Sequence, residues 1–141
     1  MTLVIGYGNT LMGDDGFGVK AVEELQKRVK RKDIEFISTY QLTPELSLQI
    51  KEANRVIFID ASHGTPPFSI ACPLLDEVGS NSISHHLNPK VLIVSVKELF
   101  GVEVEFYIYS ILCSEFKMIE GLSPKMKEPF EKIVNWLTKE L

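Results

Sequence analysis

Cysteine is scarce in this sequence, and the motifs of several enzyme classes are missing. The two cysteines, Cys72 and Cys113, lie far apart and belong to no CxxC or Cys/His spacing. A zinc knuckle or dithiol redox site therefore has no support, and we expect both residues to be buried, reduced thiols. The HExxH sequence of zincins and the GxSxG elbow of serine hydrolases are also absent. A cysteine protease would need a Cys–His pair formed by tertiary contact alone.

An excess of positive charge is also lacking. The chain has 15 Lys and Arg against 19 Asp and Glu, a formal net charge of -4. Such a chain repels phosphate backbones. The one dense basic run, KRVKRK at residues 27–32, falls where a predicted helix ends, and cations there interact favourably with the helix dipole. We therefore expect no nucleic-acid partner.

No hydrophobic run is long enough to suggest a membrane span. The longest weakly charged stretch, residues 56–75, is interrupted by Asp60, His63 and the Pro66-Pro67 pair. The first residues enter a strand-like run at residues 3–5 without the pattern of a signal peptide. These features predict a cytoplasmic protein with no membrane partner.

The composition that remains is that of one packed domain. The sequence has 141 residues, 45% of them hydrophobic and 24% charged. This length is typical of a single domain with a substantial core, and we predict one domain over residues 1–141.

Strand-like and helix-like patterns alternate along the chain. Strands are predicted at residues 3–5, 34–40, 56–59, 68–75 and 102–111. Helical patterns begin near Asp15, Pro44, Asn88 and Ser123. This alternation predicts a three-layer α/β/α sandwich around a mixed, mainly parallel sheet.

Four local patterns refine this prediction. The unbroken apolar run at residues 56–59 is typical of a central parallel strand, which is covered on both faces. Pro66 and Pro67 precede residues 68–75 and Pro73 lies near their end, which favours an edge or antiparallel strand. In the last helical segment, Pro129 predicts a kink or a second helix start. The helix after Asn88 has apolar positions that include Leu92, Val96, Leu99 and Phe100.

The loop after the first strand is rich in glycine and carries two acidic residues, Asp14 and Asp15. A dinucleotide loop is disfavoured, because Leu11 replaces the third glycine and the carboxylates oppose a pyrophosphate. The glycines could instead make turns while Asp14 or Asp15 caps the helix. A third interpretation is a metal contact. Because parallel strands share their carboxyl-terminal edge, Asp15 and Asp60 are expected to meet in one cleft there.

The histidines bear on that third interpretation. His63 follows Asp60 by three residues, and the adjacent His85 and His86 lie in a serine-containing loop. Neutral imidazole is a common metal ligand, and successive side chains point apart, so one of His85 and His86 is expected to reach a given site. Two carboxylates and one imidazole would leave positions open for a substrate. Exposed loop histidines without a ligand role are the alternative.

Three stretches of the sequence form an ordered set of motifs: residues 5–18, IGYGNTLMGDDGFG, residues 56–61, VIFIDA, and residues 84–89, SHHLNP. In that order they resemble the N-terminal signature, the second acidic motif and the third motif of NiFe-hydrogenase maturation proteases. They occur in the family's order over nearly the whole chain. The resemblance implies metal contacts at Asp15, Asp60 and His85, with catalytic roles for Asp15 and Asp60. His85 is chosen over His86 because Leu87 follows it by two residues.

The resemblance also implies an activity, a partner and a phosphorylase/hydrolase-like form of the sandwich. Family members are endopeptidases that remove a C-terminal extension from a hydrogenase large-subunit precursor after nickel insertion. The partner is then that precursor, and the nickel is supplied by it, although other divalent ions are expected to substitute in crystals. A noncatalytic checkpoint or escort that binds the precursor without cutting it is the alternative. Residues 40–46, YQLTPEL, either cap a short helix or contact the large subunit.

Overall fold

Five strands form one sheet in the computed structural model, which describes residues 1–62, 69–71, 87–112 and 118–141. The strands are β1 (Thr2–Tyr7), β2 (Ile34–Thr39), β3 (Arg55–Ser62), β4 (Ser69–Ala71) and β5 (Glu105–Leu112). Their order is β2-β1-β3-β5-β4. Strands β2, β1, β3 and β5 run parallel to one another, and β4 pairs antiparallel with β5 at the edge. The predicted mixed, mainly parallel sheet is confirmed.

Helices cover both faces of this sheet. They are α1 (Phe17–Arg28), α2 (Ser47–Ile50), α3 (Pro89–Phe100) and α4 (Lys127–Glu140). The buried side chains of α1 and α4 form one apolar core with the sheet, and those of α2 and α3 form a second core. The predicted three-layer α/β/α sandwich is therefore confirmed.

The central strand β3 shows why the chain folds this way. Residues 56–59 are each at most 2% exposed. Ile57 and Ile59 join the core beneath α1 and α4, whereas Val56 and Phe58 join the core beneath α2 and α3. Because successive side chains of a strand point to opposite faces, an unbroken apolar run is what a doubly covered strand requires.

Helix α3 begins as its sequence predicts. The Asn88 side chain accepts a 2.9 Å hydrogen bond from the Val91 backbone N–H, and Pro89 occupies the first helical position. The helix ends at Gly101, whose φ of 67° suits glycine. Leu92 and Val96 are buried, but Leu99 is 70% exposed. It falls in the last turn, where no part of the described chain covers it.

Several predicted boundaries differ from the structure. An α-helix does not begin at Asp15, since a 3-10 turn (Gly13–Gly16) precedes α1. The strand predicted over residues 102–111 begins only at Glu105. Pro129 makes no second helix start, because α4 already begins at Lys127 and its first turn tolerates a proline without a backbone N–H.

The basic run at residues 27–32 lies at the end of α1, as predicted. Arg28 forms ion pairs with Glu24 at 2.9 Å and with Glu131 of α4 at 3.3 Å. This arrangement supports a structural use of Arg28, because its guanidinium connects two helices. In the described ranges, no helix combines the length and the apolar character that crossing a membrane requires.

Candidate functional site

A cleft of about 480 Å³ opens at the carboxyl-terminal edge of the sheet, where β1 and β3 end side by side. The chain leaves β1 toward β2 on one side, while β3 lies on the other, so this is the point at which strand order reverses. Ligand sites of open α/β sheets form at such points. The lining residues are Tyr7, Gly8, Asn9, Asp15, Tyr40, Gln41, Leu42, Thr43, Pro44, Asp60 and Leu87.

Asp60 enters this cleft from the end of β3. Burial raises the pKa of Asp60 to about 6, and the negative charge of Asp15 contributes to the rise. Hydrogen bonds from the Tyr7 hydroxyl and from the Ala61 backbone oppose it. Two carboxylates that repel each other in a partly buried cleft form a negative site that a cation would stabilise.

Tyr7 was not identified by the sequence reasoning. Burial, followed by the charge of Asp60, raises the pKa of the Tyr7 hydroxyl above its usual range. The phenol therefore stays protonated and donates its hydrogen bond to Asp60. The sequence feature that could have indicated Tyr7 is its position at the end of β1, directly before Gly8 of the loop.

Asp15 enters the cleft from the 3-10 turn before α1. Its Oδ2 accepts a 2.7 Å hydrogen bond from the Asn9 backbone N–H, which fixes the carboxylate across the base of the loop. The prediction that Asp15 or Asp14 caps the helix is wrong, because neither the turn nor α1 has a side-chain cap. The prediction that Asp15 and Asp60 share one cleft is confirmed.

The glycines of the loop allow backbone to approach backbone. A Cβ on Gly18 would lie 2.2 Å from the Ile59 carbonyl oxygen, and one on Gly8 would lie 2.0 Å from the Asp15 carbonyl oxygen. Gly8 also has a φ of 141°. The glycine-rich sequence thus packs the start of α1 against the ends of β1 and β3, and this packing brings the two carboxylates together.

Asp14, the neighbouring acidic residue, is not among the residues that line the cleft. It is fully buried, and its two carboxylate oxygens accept hydrogen bonds from the backbone N–H and hydroxyl of Ser123, at 2.7 and 2.8 Å. The Gly13 backbone N–H also donates to the Ile119 carbonyl at 2.8 Å. The two aspartates therefore differ in function: Asp14 holds the loop to the segment before α4, and Asp15 lines the cleft.

Residues 40–44 form another wall of the cleft. Thr43 precedes a 3-10 turn (Pro44–Leu46) but makes no side-chain cap. The backbone N–H of Glu45 and the Thr43 hydroxyl instead lower the pKa of the Glu45 carboxyl. The purely capping interpretation of this stretch is incomplete, since the same residues face Asp15 and Asp60 across the cleft.

The third predicted metal contact is His85. His85, together with His86, His63 and both cysteines, Cys72 and Cys113, lies outside the described residues. Leu87, two residues after His85, lines the cleft. Among the residues that the structure describes, no group of three or more His, Cys, Asp or Glu side chains is arranged to hold a metal ion.

Two known proteins are similar to this chain in sequence. The hydrogenase expression/formation protein HupD of Bradyrhizobium diazoefficiens is 33% identical over 105 residues, which is 70% of this chain and 55% of HupD. A putative hydrogenase maturation protease of Methanocaldococcus jannaschii is 27% identical over 99% of this chain and 95% of its own. The chain thus spans about half the length of HupD and nearly all of the second relative. No family model matches the sequence.

A solved structure gives the same result. The NiFe-hydrogenase maturation protease HycI of Thermococcus kodakarensis superposes with a TM-score of 0.81 at 26% identity, covering 98% of this chain and 90% of HycI. Fold and site therefore define a three-layer α/β protein with a carboxylate-lined cleft at the switch point of its sheet. Over nearly its whole length the chain is similar to hydrogenase maturation proteases, the family that its three motifs resemble.

Proposed function

We propose that this protein is the endopeptidase that removes the C-terminal extension of a NiFe-hydrogenase large-subunit precursor once nickel is in place. The observation that carries this proposal is the meeting of Asp15 and Asp60 in one cleft, although 45 residues separate them in sequence. Each comes from a different family motif. A negative cleft of this kind suits a substrate that carries a divalent metal ion.

Nickel, in this proposal, is part of the substrate. Asp15 and Asp60 supply carboxylate oxygens, and we assign the imidazole to His85. This assignment rests on sequence position, since His85 precedes the cleft residue Leu87 by two residues. Carboxylate and imidazole ligands both suit nickel. Engagement of the metal would hold only a nickel-loaded precursor in position for cleavage.

The chemical step follows from the same carboxylates. One of them accepts a proton from the attacking water as its oxygen adds to the scissile carbonyl carbon. The C–N bond then breaks, and the proton passes to the departing amine. Positioning by the metal and proton transfer by a carboxylate together account for hydrolysis. The cytoplasmic location predicted from the sequence stays a prediction.

Mass spectrometry of the purified, nickel-loaded precursor tests this function directly. With the wild-type protein we expect the precursor to lose its C-terminal peptide, and with Asp60→Asn or His85→Ala to keep it. Processing by both variants at the wild-type rate would overturn the assignment of the site. Stable binding of an uncut precursor by the wild type would instead favour the noncatalytic checkpoint.

A further inference from the structure

A second hollow adjoins the cleft. It has a volume of about 360 Å³ and shares Gly8, Asn9 and Tyr40 with the cleft. Residues 10–11, Val19 of α1 and residues 38–39 complete its lining. None of the lining residues carries a formal charge, in contrast to the cleft with Asp15 and Asp60. We call this space the outer hollow.

Two large apolar side chains at the outer hollow are exposed. Leu11 is 59% exposed and Tyr40 is 64% exposed. Single exposed apolar residues are ordinary on a protein surface. These two, however, line one concave space directly beside a candidate catalytic cleft, and apolar walls with a few polar groups are typical of ligand-binding hollows.

Local hydrogen bonds hold the two backbone segments that carry Leu11 and Tyr40. The Leu11 backbone N–H donates to the Asn9 side-chain oxygen at 2.9 Å, and the Gly8 backbone N–H donates to the Thr39 carbonyl at 3.2 Å. The Thr39 hydroxyl donates to the Gln41 carbonyl at 3.1 Å, bridging Tyr40. The backbone that carries Leu11 and Tyr40 is therefore held in place without a ligand, which reduces the entropy lost on binding.

The two spaces lie toward opposite layers of the sandwich. Leu42 and Leu87, which line the cleft, pack with the core beneath α2 and α3, whereas Val19 of the outer hollow belongs to α1. A peptide that occupies both spaces would pass over Gly8 and Asn9 at the end of β1. Gly8 has no side chain to obstruct this path.

We propose that the outer hollow binds uncharged side chains of the precursor's C-terminal extension, just beyond the scissile bond. Leu11 and Tyr40 are then residues that determine specificity. This inference rests on the proposed function, in which the nickel-bearing part of the precursor occupies the cleft with Asp15 and Asp60. The peptide must continue from there, and the adjoining uncharged space receives the extension.

A charge-exchange experiment tests this assignment. Nickel-loaded precursors are prepared with the native extension and with aspartate placed singly at each of its first three positions, and kcat/KM for removal of the extension is measured. At one or more positions, aspartate is expected to lower kcat/KM at least tenfold for the wild type. Leu11→Lys is expected to lower kcat/KM for the native extension at least tenfold and to restore cleavage of that aspartate precursor at least tenfold.

Leu99→Lys is the matched control, because Leu99 is 70% exposed in the last turn of α3 and lines neither space. Its ratio of kcat/KM between the native and the aspartate-bearing precursor should stay within twofold of the wild-type ratio. The inference would be overturned if Leu11→Lys kept the wild-type ratio, or if Leu99→Lys changed the ratio as much as Leu11→Lys does. Either result would leave the proposed function intact. Failure of the wild type to cut the native precursor would overturn both.

Discussion

Asp60 is placed where its charge is unfavourable in the isolated protein. It is largely withdrawn from water and faces Asp15 across the cleft, and both conditions raise its pKa. Buried carboxylates with a raised pKa are frequent at functional sites. Their ionised form does not stabilise the fold. The metal-free protein therefore keeps a destabilising carboxylate where its substrate is expected to bring a cation.

Asp60→Asn should stabilise the metal-free protein at neutral pH. Because the folded pKa is about 6 against an ordinary 3.8, the acid form is favoured by folding, and this contribution is complete below about pH 4 and lost as pH rises through 6. The amide does not ionise and can still accept the Tyr7 hydrogen bond. Urea unfolding in a chelating buffer should show a gain of about 1–3 kcal/mol at pH 7 and little change at pH 4.

Asp33→Asn serves as the control for that prediction. Asp33 is an exposed carboxylate that pairs with Arg31 at the surface, and such substitutions usually change stability by less than about 0.5 kcal/mol. A destabilised Asp60→Asn at pH 7, or a gain of equal size at both pH values, would contradict the account of Asp60.

Gly18 offers a second test at the residue scale. A Cβ at this position would lie 2.2 Å from the Ile59 carbonyl oxygen, which belongs to rigid strand backbone. Gly18→Ala should therefore cost about 3 kcal/mol or more, a value typical of severe steric conflict, and should displace Asp15 from Asp60. Denaturant unfolding and the processing assay measure the two effects.

Gly101→Ala provides the comparison, because Gly101 has a φ of 67° and no atom of the described residues lies within 4 Å of an added Cβ. Only backbone strain of about 1–2 kcal/mol is expected there. Equal losses for the two variants would mean that close packing at Gly18 contributes nothing special.

At the residue scale, the sequence predicted the positions of Asp15 and Asp60 but not the side chains that contact the acidic residues. Asp15 and Asp60 were identified because each follows a strand that ends at the same edge of the sheet. Tyr7 was missed, since a tyrosine in a strand looks like a core residue until its neighbour across the sheet is known. The separate fates of Asp14 and Asp15 likewise depend on Ser123, more than 100 residues away.

At the level of structural elements, the loop after β1 that carries Asp14 and Asp15 is held in place by the segment that leads into α4. The buried Asp14 carboxylate accepts both hydrogen bonds that Ser123 donates, and Gly13 is bonded to Ile119 nearby. Phe130 of α4 packs edge-to-face on Phe17, the first residue of α1. The loop that carries Asp15 is thus supported from the C-terminal part of the chain.

Ser123→Ala should loosen this support. The substitution removes one donor from a buried carboxylate, which should cost about 1–3 kcal/mol, and should slow processing by loosening the loop that holds Asp15. Denaturant unfolding measures the first effect, and kcat/KM measures the second. Ser95→Ala is the matched variant, since the Ser95 hydroxyl donates to the Val91 carbonyl within the same helix, α3. Equivalent behaviour of the two variants would rule out a special role for Ser123.

Helices and strands that are determined by residues adjacent in sequence were predicted correctly. The Asn88-Pro89 start of α3 and the apolar run of β3 needed no knowledge of distant residues. The start of β5 and the exposure of Leu99 were not predicted, because both depend on how far the neighbouring elements extend. Alternation in residues 102–104 resembles a strand, but pairing with β3 begins only at Glu105.

For the molecule as a whole, the sheet order determines where chemistry is possible. Because β1 and β3 are parallel neighbours at the reversal of strand order, their following residues meet at one edge. The fold class followed from the alternation of strands and helices. The family motifs then supplied a function that the fold alone would not have indicated, since this architecture supports many activities.

The measurement that tests the central claim most directly compares nickel-loaded and nickel-free forms of the same precursor. The wild-type protein should shorten only the nickel-loaded form, and Asp15→Asn should lower its rate of cleavage at least a hundredfold, as judged by the mass of the large subunit over time. Cleavage of the nickel-free precursor by the wild type at the same rate, or full activity of Asp15→Asn on the nickel-loaded form, would contradict a cleft in which Asp15 and Asp60 recognise substrate-borne nickel.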